Sequence, residues 1–490
     1  MIARGIAASL LATWFIWMCP NITAAAVVQL TQATGCYSIT DESGPRRGLD
    51  ATAAHLAFTS NCNFGGANPF ARPQALLLET ATNAITRLAN SPDNCFSVAG
   101  PISSDGKTVA FASDCNLASG NADRNDEMFV FDVASGVATQ LTHSANCYNW
   151  YVAMSGDGKR VGFHSNCDPT GSNPGHQVQI FTVDTTTQAI TQVTKSDGCG
   201  GNVPTLNADG SRLAFESSCD LTGGNADHSM EIFLFDATTG TTTQVTSGTY
   251  PCLSYWPSID ASGTHLALMS SCDLSGGNAD RSWELFLLDT AKSSVQQLTS
   301  DVGCGINLPS ISAYGTRIAF ESGCNKTGDN PAYDYRIYQI DRTASSISML
   351  TKIPGCFNGY PVTNAGGMRV AFMSTCDYTG ANADHSDEIF LASTDDPCPT
   401  PVPTATLAPT FTRTRTPTRT PTRTRTPTKT RTRTRTPTRT RTVDIDHCGS
   451  LADCAARCAD DPNRDQCHCL CKNRYCLCTH ACLPQQCVNP

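Results

Sequence analysis

Two neighbouring stretches decide the fold, because they are near copies of one another. Residues 203–246 read VPTLNADGSRLAFESSCDLTGGNADHSMEIFLFDATTGTTTQVT, and residues 256–299 read WPSIDASGTHLALMSSCDLSGGNADRSWELFLLDTAKSSVQQLT. Each stretch alternates short runs of β-branched and aromatic residues with turns rich in Gly, Asn and Asp, which is the pattern of consecutive β-hairpins. Four such runs per copy predict a four-stranded antiparallel unit, and repeats of this kind are typical of β-propeller blades.

Five weaker copies bring the number of units to seven. Their best-matching segments are residues 56–79, 109–132, 161–184, 318–341 and 370–393. The seventh unit ends after its third strand, and the N-terminal segment VVQLTQATGC (27–36) matches the fourth-strand segment TQVTKSDGC (191–199). We therefore predict an all-β, seven-bladed propeller over residues 27–397. The N-terminal strand completes its last blade, so that this blade keeps no open sheet edge.

The cysteines follow the same repeat. In every unit one cysteine precedes the first strand and a second follows the second strand, and these two ends of an antiparallel hairpin are neighbours within disulfide reach. We predict seven disulfides, all on the face that carries the loops between strands 2 and 3 and between consecutive units. The predicted pairs are Cys36 with Cys62, Cys95 with Cys115, Cys147 with Cys167, Cys199 with Cys219, Cys252 with Cys272, Cys304 with Cys324, and Cys356 with Cys376.

The repeated pattern also resembles a known family. The motif DGxxxAFxS…GxNxDxxxEIFxxDxxTGxxxQxT resembles the WD40-like PD40 repeats of TolB-type bacterial β-propellers, and it covers most of the chain. The resemblance implies a propeller fold and a protein of the cell envelope that binds envelope partners. The predicted seven blades differ from the six usual for TolB, and a TolB N-terminal domain is not seen in the sequence. Fold alone does not determine function.

The N-terminus predicts the cellular location. Residues 1–26 read as a secretory signal peptide, with Arg4 as the positive region, an apolar stretch over 6–18, and Ala24-Ala25-Ala26 as a cleavage site. The alternative is an N-terminal membrane anchor, but the apolar run is shorter than the roughly 20 residues of a membrane span. The chain holds 26 cysteines, a number that favours an oxidising compartment. We therefore expect a secreted, periplasmic or cell-surface protein without a transmembrane span.

The composition changes at Cys398. Residues 398–442 consist almost wholly of Thr, Pro and Arg, with eleven basic residues and no acidic one from Arg413 to Arg441. This composition predicts an extended, disordered linker that acts as a spacer, with or without glycosylation of its threonines. The alternative is adhesion to an anionic surface. The formal net charge of −9 and the lack of aromatic residues among the arginines argue against specific binding of nucleic acid.

The C-terminal residues 443–490 form a cysteine-rich module. Its ten cysteines predict disulfides, because so short a segment cannot fold on apolar burial alone. Zinc or another soft metal bound at 467–471 with His468 and His480 is the alternative. Cys398 is the odd cysteine of the mature chain, and it is either free, paired with the tail or linked to a second molecule.

No catalytic signature is present in the sequence. We find no G-x-S-x-G, no H-E-x-x-H and no phosphate-binding loop, and we expect no cofactor. Calcium is a weaker possibility, with Asp220, Asn225 and Asp227, or Asp273, Asn278 and Asp280, as oxygen ligands. Asx-turns explain these residues equally well.

A candidate binding face emerges from the repeat symmetry. Arg124, His176, His228, Arg281, Tyr333 and His385 occupy equivalent positions nine residues after each second cysteine, and aromatic residues lie in or just after the adjacent loops: Trp150, Tyr151, Tyr255, Trp256 and Tyr360. These residues favour an interface. The alternative is local pairing with neighbouring aspartates and packing between blades.

The leading interpretation is therefore a non-catalytic binding or scaffold protein for an envelope or extracellular protein or a glycan. The alternatives are a lyase or hydrolase with its site in the central funnel, and a tail module that acts as an inhibitor or toxin.

Overall fold

The chain folds into a ring of seven four-stranded antiparallel sheets, as predicted. The computed structural model describes residues 26–40, 47–66, 68–90, 95–117, 120–196 and 198–394, and the strands 468–472 and 475–479. Each sheet is one blade, and in six of them the strand order follows the chain order. The first strands of neighbouring blades contact one another. The first strands are therefore innermost and surround a central channel, while the fourth strands are outermost.

The strands of blades 1 to 4 are short and regular, and most of them contain four or six residues. Blade 1 contains β2 (Ser38–Ile39), β3 (His55–Ser60), β4 (Gln74–Glu79) and β5 (Ala84–Arg87). Blade 2 contains β6 (Ser97–Ile102), β7 (Thr108–Ser113), β8 (Glu127–Asp132) and β9 (Val137–Gln140). Blade 3 contains β10 (Asn149–Met154), β11 (Arg160–Ser165), β12 (Gln179–Asp184) and β13 (Ile190–Gln192). Blade 4 contains β14 (Gly201–Leu206), β15 (Arg212–Ser217), β16 (Glu231–Asp236) and β17 (Thr241–Gln244).

Blades 5 and 6 repeat this arrangement, and blade 7 draws on both ends of the propeller. Blade 5 contains β18 (Ser254–Ile259), β19 (His265–Ser270), β20 (Glu284–Asp289) and β21 (Ser294–Gln297). Blade 6 contains β22 (Ile306–Ile311), β23 (Arg317–Ser322), β24 (Arg336–Asp341) and β25 (Ser346–Met349). Blade 7 contains β26 (Asn358–Thr363), β27 (Arg369–Ser374) and β28 (Glu388–Ser393), with β1 (Ala26–Gln29) as its outer strand.

The N-terminal strand closes the ring, which confirms the prediction. Strand β1 runs antiparallel to β28, with Ala26 opposite Ser393 and Gln29 opposite Phe390. Beyond the strand, the Thr31 hydroxyl donates to the buried carboxylate of Glu388, and the Ala33 amide donates to its other oxygen at 2.5 Å. Thr142 and Ser144 bind Glu127 of blade 2 in the same way. The N-terminal segment therefore supplies the contacts that the other blades obtain from their own fourth strands.

The hydrophobic core lies between the blades. One cluster joins Ala110, Ala112 and Met128 of blade 2 to Phe163 and Phe181 of blade 3. Aromatic rings on the second and third strands stack within a blade, as Phe163 does on Phe181 with 5.8 Å between the ring centroids. Each blade therefore buries its apolar face against the next one.

Blade 1 carries a longer first hairpin, and this hairpin sends one side chain across the channel. Arg47 Nη2 donates to the carbonyl oxygen of Ile259 at 2.6 Å. Because blades 1 and 5 are not neighbours in the ring, the guanidinium spans the central channel. Burial lowers the pKa of Arg47 to about 10, against the opposing attraction of Asp260. We expect this contact to narrow the channel at the level of Ile259.

Several predicted segments lie outside the described residues. These are the signal peptide up to residue 25, the linker 398–442 with Cys398, and most of the cysteine-rich module 443–490. Within that module the structure gives one antiparallel hairpin, formed by β29 (His468–Lys472) and β30 (Tyr475–Thr479). Among the residues searched, no helix is long and apolar enough to cross a membrane.

Candidate functional site

The loops between strands 2 and 3 and between consecutive blades emerge on one side of the ring, which we call the loop face. The tight turns between strands 1 and 2 and between strands 3 and 4 emerge on the opposite side, the turn face. Seven disulfides lie at the loop face. They join the pairs that the sequence predicts: Cys36 with Cys62, Cys95 with Cys115, Cys147 with Cys167, Cys199 with Cys219, Cys252 with Cys272, Cys304 with Cys324, and Cys356 with Cys376.

These bridges belong to the frame of the blades rather than to a contact surface. Their Cα–Cα distances run from 4.9 Å between Cys252 and Cys272 to 5.4 Å between Cys199 and Cys219. The second cysteine of every pair is buried, with at most 2% of its surface exposed: Cys62, Cys115, Cys167, Cys219, Cys272, Cys324 and Cys376. Each bridge therefore fixes the root of a 2–3 loop to the start of its blade, and these buried cysteines are structural residues.

A repeated hydrogen-bond network holds each 2–3 loop. In blade 4, Asp220 accepts from the Asn225 amide at 2.9 Å, and the Asn225 side chain donates to the carbonyls of Cys219 and Ser229. A buried asparagine stands at this position in all seven blades: Asn68, Asn121, Asn173, Asn225, Asn278, Asn330 and Asn382. In every blade this asparagine donates to the carbonyl oxygen four residues further on, so the same side-chain bond holds all seven loops.

This network also employs the residues proposed for calcium. Asp227 accepts from the Tyr250 amide at 2.7 Å and from the Ser229 hydroxyl at 3.2 Å. Asp273 accepts from the Asn278 amide at 2.8 Å. Local turn bonds of this kind are the alternative that the sequence left open, and calcium stays a prediction.

Two other groups in the described part bring metal-ligand residue types together: Cys95, Asp114 and Cys115, and Asp301, Cys304 and Cys324. Both contain the two sulfurs of a disulfide, which are not thiolate ligands.

The six residues predicted as a ring share one conformation. Arg124, His176, His228, Arg281, Tyr333 and His385 are exposed on the loop face, with φ between 51° and 56°. The histidines donate from Nδ1 to backbone carbonyls rather than pairing with neighbouring aspartates: His176 to Asn166, His228 to Ser218, and His385 to Thr375, at 2.9 to 3.0 Å. These bonds hold the loop backbone in place, while the rest of each imidazole is exposed on the loop face.

The predicted aromatic residues lie deeper than the loop tips. Trp150, Tyr151, Tyr255, Trp256 and Tyr360 belong to the first strands, at a bulge that interrupts the pairing with the second strand. Tyr151, Trp256 and Tyr360 have positive φ at this bulge. Trp150 packs against the core between blades 2 and 3, and Tyr255 and Trp256 pack against the core between blades 5 and 6. This is the packing between blades that the sequence left open as the alternative, and the rings stay half-buried.

Sequence reasoning missed a set of buried polar groups behind these bulges. The fifth residue of several second strands contacts the first strand of the following blade. Glu216 accepts from the Trp256 amide and Glu321 from the Tyr360 amide, both at 3.1 Å. His164 Nδ1 lies 2.7 Å from Asn202 Oδ1, and burial lowers the pKa of His164 to about 4. These contacts join residues some 40 positions apart, which single-repeat patterns do not reveal.

Blade 2 carries a second group that the sequence did not single out. Asp114 directly follows β7 and Asp126 directly precedes β8, and because Ser113 and Glu127 are register partners, the two aspartates stand opposite each other. Burial raises the pKa of Asp114 to about 6. Burial and the neighbouring charges of Asp114 and Glu127 raise the pKa of Asp126 to about 7. Two carboxyl groups at the loop face are therefore partly protonated near neutral pH.

Comparisons with known proteins give the fold and no family. No protein-family model matches the chain, and no curated protein sequence matches it. Among solved structures, an oligogalacturonate lyase in complex with manganese aligns with a TM-score of 0.52 at 14% identity, covering 75% of this chain and 93% of that one. An oligogalacturonate lyase from Vibrio parahaemolyticus gives a TM-score of 0.53 with the same identity and coverage. The likeness is one of fold. The TolB resemblance and the signal peptide remain predictions.

Proposed function

We propose that this protein is a secreted, non-catalytic binding or scaffold protein that holds a protein or glycan partner on its loop face. The proposal is supported by a contrast between positions of the repeat that are constant and positions that vary. The disulfide and the buried asparagine are the same in every blade, while neighbouring residues of the loop face differ from blade to blade. A rigid frame with variable contact residues is how binding surfaces are built on repeat folds.

Two positions illustrate this variation. The residue after the first cysteine is Tyr37, Phe96, Tyr148, Gly200, Leu253, Gly305 and Phe357 in blades 1 to 7. The residue before the third strand is Pro73, Asp126, Val178, Met230, Trp283, Tyr335 and Asp387. Aromatic and arginine side chains dominate binding energy at interfaces. A preorganised frame lowers the conformational entropy lost when a partner binds.

The seven disulfides support the secreted location. Disulfides form and persist outside the reducing cytosol, and all seven bridges belong to the repeated frame rather than to a single redox-active pair. Secretion is tested by fractionation of the producing cells, and finding the reduced chain in the cytosol would contradict it.

A catalytic function at the loop face is the second candidate, favoured by Asp114 and Asp126. Carboxyl groups whose pKa values lie near 6 and 7 match the requirements of general acid–base catalysis at neutral pH. The oligogalacturonate lyases among the fold neighbours share only the architecture with this chain. Turnover of a bound glycan that is abolished in Asp126→Asn, with binding retained, would establish catalysis in place of simple binding.

The binding proposal is tested with matched variants of the full chain on opposite faces. Arg281→Asn with Tyr333→Asn changes two exposed residues of the loop face, and asparagine tolerates their positive φ. Tyr314→Asn changes an exposed residue of the turn face. We expect the loop-face variant to lose capture of protein or glycan from the surface material of the producing cells, and the turn-face variant to retain it. Equal capture by both variants would contradict the proposal.

A further inference from the structure

The junction of blades 2 and 3 combines an aromatic pair with the aspartate pair at the loop face. Phe96 at the start of blade 2 contacts Trp150 of blade 3, with ring centroids 5.8 Å apart and planes inclined by 51°. Both rings are half-buried, so each keeps an accessible part. Phe96 is also tied to the aspartate pair, because its amide donates to Asp114 Oδ1 at 2.7 Å.

The aspartate pair has no counterpart elsewhere in the ring. At the position of Asp114 the other blades carry uncharged residues: Asn61, Asn166, Ser218, Ser271, Gly323 and Thr375. At the position of Asp126 five blades carry Pro, Val, Met, Trp or Tyr, and only blade 7 has an acid, Asp387. The fold therefore does not require either carboxyl group. Like charges placed directly opposite on neighbouring strands destabilise a sheet, so a function is the better explanation for this pair.

The charges around the pair partly offset one another. Arg124 and Arg72 both attract the Asp114 carboxylate, while Glu127 repels the charge of Asp126, so two guanidinium groups accompany three carboxyl groups. A polyanion gains no net attraction from such a group. A hydroxylated neutral ligand suits it well, because hydroxyl groups both donate and accept hydrogen bonds. A partly protonated carboxyl group does the same, and Asp114 and Asp126 are in that state near neutral pH.

We propose that the junction of blades 2 and 3 binds a neutral sugar residue of a glycan. Phe96 and Trp150 contact the apolar face of the sugar ring, and Asp114 and Asp126 bind its hydroxyl groups. The proposal rests on the proposed binding function of the loop face and names its ligand class. Aromatic rings beside planar hydrogen-bonding groups provide both kinds of contact that a pyranose ring offers.

The test uses the full chain and a defined panel of probes. Calorimetric titration is carried out with cellohexaose, xylohexaose, chitohexaose and mannohexaose, and with hexagalacturonate as the charged comparison. We expect at least one neutral hexamer to bind more tightly than hexagalacturonate. Phe96→Ala and Asp126→Leu should weaken that binding by about tenfold or more, a loss equivalent to about 1.4 kcal/mol. Asp126→Leu keeps the approximate size of the side chain and removes its hydrogen-bonding oxygens, so it remains informative if Phe96→Ala folds poorly.

The control comes from the turn face, which the proposed binding function does not use. Tyr314→Asn changes a side chain that is 72% exposed, and it should leave the affinity within about twofold of the parent. The sugar site is overturned if no neutral hexamer binds, or if Tyr314→Asn weakens binding as much as the blade 2 variants. Continued capture of a partner by the loop face would then show that the binding function stands without this site.

Discussion

Replacing Thr31 by valine tests how the ring is closed. Thr31 and Glu388 are buried, with 2% and 1% of their surfaces exposed. The Thr31 hydroxyl donates to the Glu388 carboxylate and accepts from the Ile389 amide at 2.8 Å. Valine has nearly the same shape and removes both hydrogen bonds, so a buried carboxylate oxygen and a buried amide lose a partner. Each such loss costs about 1–3 kcal/mol. We expect Thr31→Val to lower the free energy of unfolding by about 2–4 kcal/mol.

The matched control is Thr142→Val in blade 2. Thr142 makes the same two bonds, to the Glu127 carboxylate and from the Met128 amide at 2.8 Å. Its strand β9 is joined to its blade through a hairpin, whereas β1 comes from the other end of the chain. Both variants should therefore lose a similar free energy of unfolding, but only Thr31→Val should release β1 and expose the edge of β28.

Guanidinium denaturation of the full chain with intact disulfides measures the first effect, and amide hydrogen exchange measures the second. We expect exchange in β28 to accelerate by at least about tenfold in Thr31→Val, with little change in Thr142→Val. Unchanged stability of Thr31→Val, or equal exchange of β28 in both variants, would refute the reasoning that this hydroxyl anchors the closing strand.

Three further predictions concern stability. Asp126→Asn should stabilise the protein by about 1–2 kcal/mol at pH 8, after allowance for partial exposure. The folded-state pKa of about 7 is raised above the ordinary value, so this gain should shrink as the pH falls from 7 towards 4. A gain that does not change with pH in denaturation curves would contradict a raised pKa of Asp126 in the folded state. The pKa of His164 is lowered to about 4, so the free energy of unfolding should decrease as the pH falls from about 6.5 to 4. His164→Gln should remove that loss in melting curves, and an unaltered pH profile would count against it. Replacing Cys199 and Cys219 by serine should cost about 3 kcal/mol. Unchanged denaturation would show that the bridge does not stabilise blade 4.

The sequence was sufficient to predict the ring because its information is local and repeated. The signals within one unit are alternating strands, Gly- and Asp-containing turns and regularly spaced cysteines. Seven such units can close into a ring in few ways. The match between 27–36 and 191–199 revealed the closing strand. The two segments share a threonine that binds the first residue of a third strand, because Thr31 donates to Glu388 and Thr194 donates to Gln179.

The features of the candidate site that were missed depend on contacts between units. Glu216 binds an amide of the next blade, and Arg47 reaches a carbonyl across the channel. Because each of these contacts joins two different blades, no residue spacing within a single repeat indicates it. Asp114 and Asp126 meet only through the register of β7 and β8. The histidines were found by their spacing, but their bonds to backbone carbonyls follow from a left-handed backbone that the sequence pattern does not display.

Photo-crosslinking at two tyrosines of blade 6 shows whether partners bind on the loop face. Tyr333 lies on the loop face and Tyr314 on the turn face, and they are 63% and 72% exposed. Benzoylphenylalanine is placed at one position or the other in the full chain, which is then irradiated with the surface material of the producing cells. We predict a specific protein or glycan adduct from position 333 and none from position 314. Adducts only from position 314, or equal adducts from both positions, would contradict the claim.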